Sequence, residues 1–152
     1  MQASSSASIR LAALGASLLT LVAGPAAQAQ DGSEPMLLQT IMKQLDRDLQ
    51  AVTGAIAVED WPRVGELAPK IGRHAEPAPA EKLRILGWLG TEAGSFRGFD
   101  TKVHDAAAGL AEAAARGDGA EVIAAFARVQ QGCLGCHQAF RQRFVAEFHG
   151  RR

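Results

Sequence analysis

The chain has 152 residues, 47% of them hydrophobic and 21% charged, which suits one modest domain with a single core. Sixteen basic residues balance sixteen acidic ones, and no block of five like charges occurs, so the footprint of a nucleic-acid binder is missing. Cys133 and Cys136 are the only cysteines, too few for a structural zinc site built from two cysteine pairs.

Residues 1–29 read as a secretory signal peptide. Arg10 precedes an apolar run from Leu11 to Ala23, and Ala27-Gln28-Ala29 gives a small-x-small cleavage site. The run is shorter than the roughly 20 residues of a membrane span, and Pro25 follows it; an uncleaved anchor is the alternative. Cleavage would remove one of the 16 basic residues and none of the 16 acidic ones, leaving a mature domain, residues 30–152, of formal charge −1. Export is expected, with no stable membrane insertion after cleavage and no nucleic-acid partner.

Helix A is expected to start around Ser33-Glu34-Pro35 and to carry an apolar stripe of Leu38, Met42, Leu45, Leu49 and Val52, weakening at Gly54. Helix B starts with Asp60 as cap and Pro62 in its first turn, and turns Trp61, Val64, Leu67, Ala68 and Ile71 inward. A connection containing Pro77 and Pro79 follows, with a helical turn or two expected around Leu83, Leu86 and Leu89. Helix C begins between Thr91 and Ser95, with a stripe of Phe96, Phe99, Val103, Ala106, Leu110 and Ala113. Gly117 ends it, and Asp118 with Glu121 suggests a capping box for helix D. On helix D, Val122, Phe126, Val129, Cys133, Cys136 and Phe140 recur every three or four residues, with Phe144 and Phe148 continuing the face. Four amphipathic segments with short links and no strand signal predict an all-α, antiparallel up-down-up-down four-helix bundle.

Cys133-Leu134-Gly135-Cys136-His137 places two thiols on the inner face of helix D and an imidazole one turn beyond the first. This is the c-type haem attachment pattern, with Cys133 and Cys136 as thioether sites and His137 as proximal iron ligand. Zinc and thioredoxin-like redox readings of a Cys-x-x-Cys pair stand beside it. A zinc ion would have to recruit His74, His104 or His149 singly from afar, and no βαβ context supports a redox pair. His74 and His104 read as solvated residues near helix ends or polar flanks, and Trp61 and Trp88 as packing residues.

Across residues 34–148 the chain resembles the cytochrome c′ family, the class II c-type cytochromes, which carry this motif on the last helix. Gly132 to Arg141 is similar to that family's terminal signature, and Phe99-Asp100-Thr101 is a weaker similarity. The connection from Ile71 to Gly94 departs from the family pattern in its Pro-Ala spacing and extra apolar turn. The resemblance implies one covalently bound haem c per chain, periplasmic location, and electron transfer or binding of a diatomic gas. It admits a homodimer. Ile41-Met42-Lys43 resembles the low-spin branch, in which a methionine of helix A is the distal iron ligand; antiparallel packing puts Met42 and His137 at similar heights. If Met42 packs aside, Leu38 would face an open iron, with Met36 a remoter candidate. Arg141, one turn after His137, is a candidate for haem proximity. These features predict a non-enzymatic single-haem electron carrier with a protein redox partner, cycling between Fe(III) and Fe(II), since the inward stripe of helix A offers no acid or base. The alternative is a five-coordinate NO- or CO-binding protein.

Overall fold

The computed structural model describes residues 36–150. The segment read as a signal peptide, the Ser33-Glu34-Pro35 helix start, and Arg151 and Arg152 lie outside the described residues. Among the described residues there is no strand, and no helix is long and apolar enough to cross a membrane. The elements are α1 (Leu37–Ala57), α2 (Trp61–Gly72), α3 (Pro79–Leu89), α4 (Ala93–Ala115), α5 (Gly119–Cys136) and α6 (Gln142–His149). A 3-10 turn (Gly90–Glu92) leads into α4, and a π turn (His137–Arg141) carries α5 into α6. Helices α1, α2, α4 and the α5–α6 rod form the expected four-helix bundle. The main packing runs from α1 to α2 to α4 to α5, and α1 meets α5 only sparsely.

Local chemistry sets the helix starts. Asp60 Oδ1 accepts the Arg63 N–H at 3.1 Å, and Asp118 Oδ1 accepts the Glu121 N–H at 3.0 Å; a cap of this kind is worth about 1 kcal/mol. The reciprocal half of the expected capping box does not form. The Glu121 carboxylate pairs with Arg128 at 2.6 Å, and the Asp118 N–H donates instead to the Ala113 carbonyl at 3.1 Å. Gly117, at φ 67°, ends α4 in the left-handed region that favours glycine. Helix α1 runs through Gly54 to Ala57, and the turn beyond it is closed by the Val58 and Asp60 N–H groups, both on the Ala55 carbonyl.

Two apolar clusters hold the bundle. The larger joins Val52, Val64, Leu67, Ile71, Leu110, Val122 and Val129, and packs Trp61 at its edge. The smaller gathers Met36, Ile85, Leu89 and Phe140, flanked by Trp88, Phe96, Phe99, Phe144 and Phe148. Its rings meet edge to face: Trp88 with Phe144 at 5.7 Å and with Phe148 at 5.5 Å, and Phe96 with Phe140 at 5.4 Å. Such pairs add about 0.5–1.5 kcal/mol beyond their buried area.

The connection after Ile71 is more ordered than its prolines suggest. In place of a turn or two it holds the 11-residue α3, whose buried side chains are Ile85 and Leu89, while Leu83 is 71% exposed. Pro79 sits in the first turn, where its missing N–H costs no hydrogen bond. Helix α3 also completes α1. Met36 at the N-cap of α1 has no side-chain cap, and the Glu81 carboxylate accepts the N–H groups of Leu37 and Leu38, both at 2.9 Å. A carboxylate at a helix N-terminus satisfies unpaired donors and suits the helix dipole.

Candidate functional site

On the side where α1 stands off α5, a cavity of about 510 Å³ opens into the bundle. One wall carries Cys133, Cys136 and His137; the wall from α1 carries Leu38, Met42, Leu45 and Leu49. Phe96, Phe99 and Val103 of α4 contribute further apolar lining, and Ile85 and Leu86 of α3 lie at the same cavity. The expected stripe of helix A therefore exists, but much of it faces a cavity rather than packed side chains. Leu38, Leu45 and Leu49 are half-buried and Met42 is 38% exposed, whereas Ile41, Asp48, Val52 and Ala55 are the buried positions.

The cysteine segment is seated by two glycines. A Cβ on Gly132 would lie 2.8 Å from Val103 Cγ2, and one on Gly135 would lie 2.7 Å from Phe99 Cε1. The α5 backbone thus presses against α4 at the two residues that each precede a cysteine. Immediately after Cys136 the hydrogen-bonding pattern widens into the π turn that holds His137, a distortion that occurs mostly as single turns and often at functional sites. Phe140, within this turn, is buried against Phe96 and Phe99.

Both cysteines are free. Burial pushes the Cys133 thiol up, and burial, with smaller contributions from Cys133 and Asp100, pushes Cys136 up to about 11. They are neutral thiols in an apolar setting. Partial enclosure, with Arg141 nearby, lowers the His137 pKa and so favours the neutral imidazole.

Arg141 is exposed and is not among the residues lining the cavity. The lining cations are Arg97 and Lys82, which the sequence reading did not single out; the signal for Arg97 is its place beside Phe96 on α4, and Lys82 lies on α3, whose extent was not foreseen. His74 and Asp100 also line the cavity. The expectation that His74 and His104 are solvated near helix ends or polar flanks is corrected for the enclosure of His74; His74 does follow the end of α2, and the His104 side chain is 42% exposed. His104 lies in the middle of α4, and His74 has only 17% of its side chain exposed, with Nε2 at 3.1 Å from Asp100 Oδ1. This hydrogen bond is the main cause that raises the His74 pKa and lowers that of Asp100.

The bundle thus carries a Cys-x-x-Cys-His segment on its last long helix, facing a largely apolar cavity. The family model described as Cytochrome C' matches residues 91–141, from the 3-10 turn through the π turn, so this third of the chain is similar to that family. That family implies a single-haem c-type cytochrome with haem c and its iron as cofactor. The matched stretch includes Cys133, Cys136 and His137 and leaves out α1, so it is silent on Met42. No curated protein and no solved structure matches the chain.

Proposed function

We propose that the protein is a periplasmic electron carrier whose haem is tethered by thioether bonds to Cys133 and Cys136 and held by His137 as proximal ligand, with Met42 as distal ligand. The observation that carries this reading is the shared cavity: both thiols, the imidazole and the Met42 side of α1 line it, and most of the remaining lining is apolar. The lining fits a flat, largely apolar group anchored on one wall. Its rim cations Arg97 and Lys82 would meet the cofactor's carboxylates, and Lys82 already pairs with Glu76 at 2.7 Å.

When bound, such a group supplies one-electron cycling between Fe(III) and Fe(II), and a thioether ligand favours the ferrous form and raises the potential. The chain's part is to bind, orient and exclude water. Leu38, Leu45, Leu49, Phe96 and Phe99 keep the interior apolar, and α4 fixes the cysteine backbone through Gly132 and Gly135. No side chain is assigned to substrate chemistry. Export through residues 1–29 and docking of a redox partner near the cavity mouth belong to the same proposal.

A gas-binding role is the second reading. It is favoured by the placement of Leu38, which lines the cavity and packs against the cluster containing Met36 and Ile85. Visible and near-infrared spectra of the purified holoprotein, with and without CO, separate the two. A low-spin spectrum with a sulfur-to-iron charge-transfer band that disappears in Met42→Ala supports the carrier. A high-spin spectrum and ready CO uptake by the unaltered protein would replace it with the gas binder.

A further inference from the structure

At the edge of the cavity, where His74 and Asp100 form part of the lining, three side chains of metal-ligating type converge that the haem reading assigns no role. Asp100 and His104 stand four residues apart on α4 and so share one face. His74 follows the end of α2, where the packing is tight: a Cβ on Gly72 would meet Ala107 Cβ at 3.2 Å and the His104 carbonyl at 3.5 Å. That close approach delivers His74 to Asp100 and His104. One donor atom from each of the three residues lies within 4.8 Å of the others. His74 Nε2 is 3.1 Å from Asp100 Oδ1, and His104 Nε2 is 3.5 Å from Asp100 Oδ2. Tetrahedral zinc with bonds of about 2.0–2.1 Å has donor-to-donor edges of about 3.3 Å.

The hydrogen bonding around the cluster favours a cation at its centre. His74 Nδ1 lies 3.0 Å from the Ala75 carbonyl, an acceptor that holds a proton on Nδ1, so that a metal ion would displace only the Nε2 proton now shared with Asp100 Oδ1. Histidine ligands commonly show this second contact. His104 Nε2 is buried and has no hydrogen-bond partner, an arrangement that calls for an explanation in a folded protein. A metal ion would occupy that nitrogen's lone pair. Half-exposed Asp100 leaves a path from solvent, and water would complete the coordination.

We infer that His74, Asp100 and His104 form a binding site for a zinc-like divalent transition cation, which would pin the segment after α2 to α4 at the edge of the cavity. Two imidazoles and one carboxylate select this class over magnesium or calcium, which prefer all-oxygen shells. The site contains none of the residues assigned to the haem and does not depend on that reading.

The test is calorimetric titration of zinc chloride into the untagged mature protein at about pH 7.5, with any free thiols alkylated beforehand so that Cys133, Cys136 and His137 cannot compete as a zinc site. Saturable binding of one ion per chain is expected, weakened by about tenfold or more in each of His74→Gln and His104→Gln. Far-UV circular dichroism checks that the variants fold, and His149→Gln should leave binding unchanged. Absence of saturable binding, or binding in both site variants as strong as in the unaltered protein, overturns the assignment. So does binding seen only before alkylation, since it would place the metal at the thiols.

Discussion

Gly135 rests bare against the ring of Phe99, with room for no side chain: an added Cβ would come within 2.7 Å of Cε1 and 3.3 Å of Cδ1. Gly132 has the same relation to Val103, three residues earlier on α5. Gly135→Ala and Gly132→Ala should each cost about 1–3 kcal/mol, because α5 must lift from α4 or a packed side chain must leave its rotamer. Urea melts measure the loss. If the cysteines hold haem, the Soret absorbance per mole of chain should fall in the same variants; unchanged stability and unchanged haem content would show that α4 does not set the position of the cysteine segment.

Leu110 is fully buried in the larger cluster. Leu110→Ala should destabilise the protein by about 2–5 kcal/mol through lost transfer energy and a residual cavity. Leu83→Ala, at a position 71% exposed on α3, should fall within about 0.5 kcal/mol of the parent. Denaturant midpoints of the two variants, measured side by side, check the contrast.

Arg143 of α6 holds Glu92 of the 3-10 turn with two hydrogen bonds, of 2.8 and 3.0 Å. Hydrogen bonding to Arg143 lowers the Glu92 pKa from its ordinary 4.5. A depressed carboxylate contributes stability above its unfolded pKa and loses it as pH falls through the lower folded value. Glu92→Gln should therefore lower Tm slightly at neutral pH, the difference shrinking below about pH 4.5 and in high salt. The pair is exposed, so the effect is small at any pH. Thermal melts from pH 3 to 7 test this, and a difference that grows toward acid would refute the sign.

The helices were legible because their apolar residues repeat at three and four, and because Asp60 and Asp118 sit where an N-cap is needed. The attachment motif was legible because its chemistry lies within five consecutive residues. Helix α3 was legible only as a turn or two, since prolines, Gly87 and Gly90 mask a segment whose full extent comes from packing Ile85 and Leu89 against distant aromatic residues. Periodicity marked Leu38, Met42, Leu45 and Leu49 as inward but could not distinguish a packed core from a cavity wall. The pairing of His74 with Asp100 spans 26 residues and depends on the close approach at Gly72, which no local pattern encodes. The π turn has no sequence signal that we recognise.

The carboxylate of Glu81 reaches the start of α1 from 43 and 44 residues away along the chain. The opening turn of α1 is thus completed by a partner distant in sequence, so that closing it carries the entropy cost of a long loop. Amide hydrogen exchange offers a direct reading: in Glu81→Gln the Leu37 and Leu38 amides should lose protection while Val52, deep in the same helix, keeps it. Equal loss along the whole helix would instead mean that α1 opens as one piece, taking its side of the cavity with it.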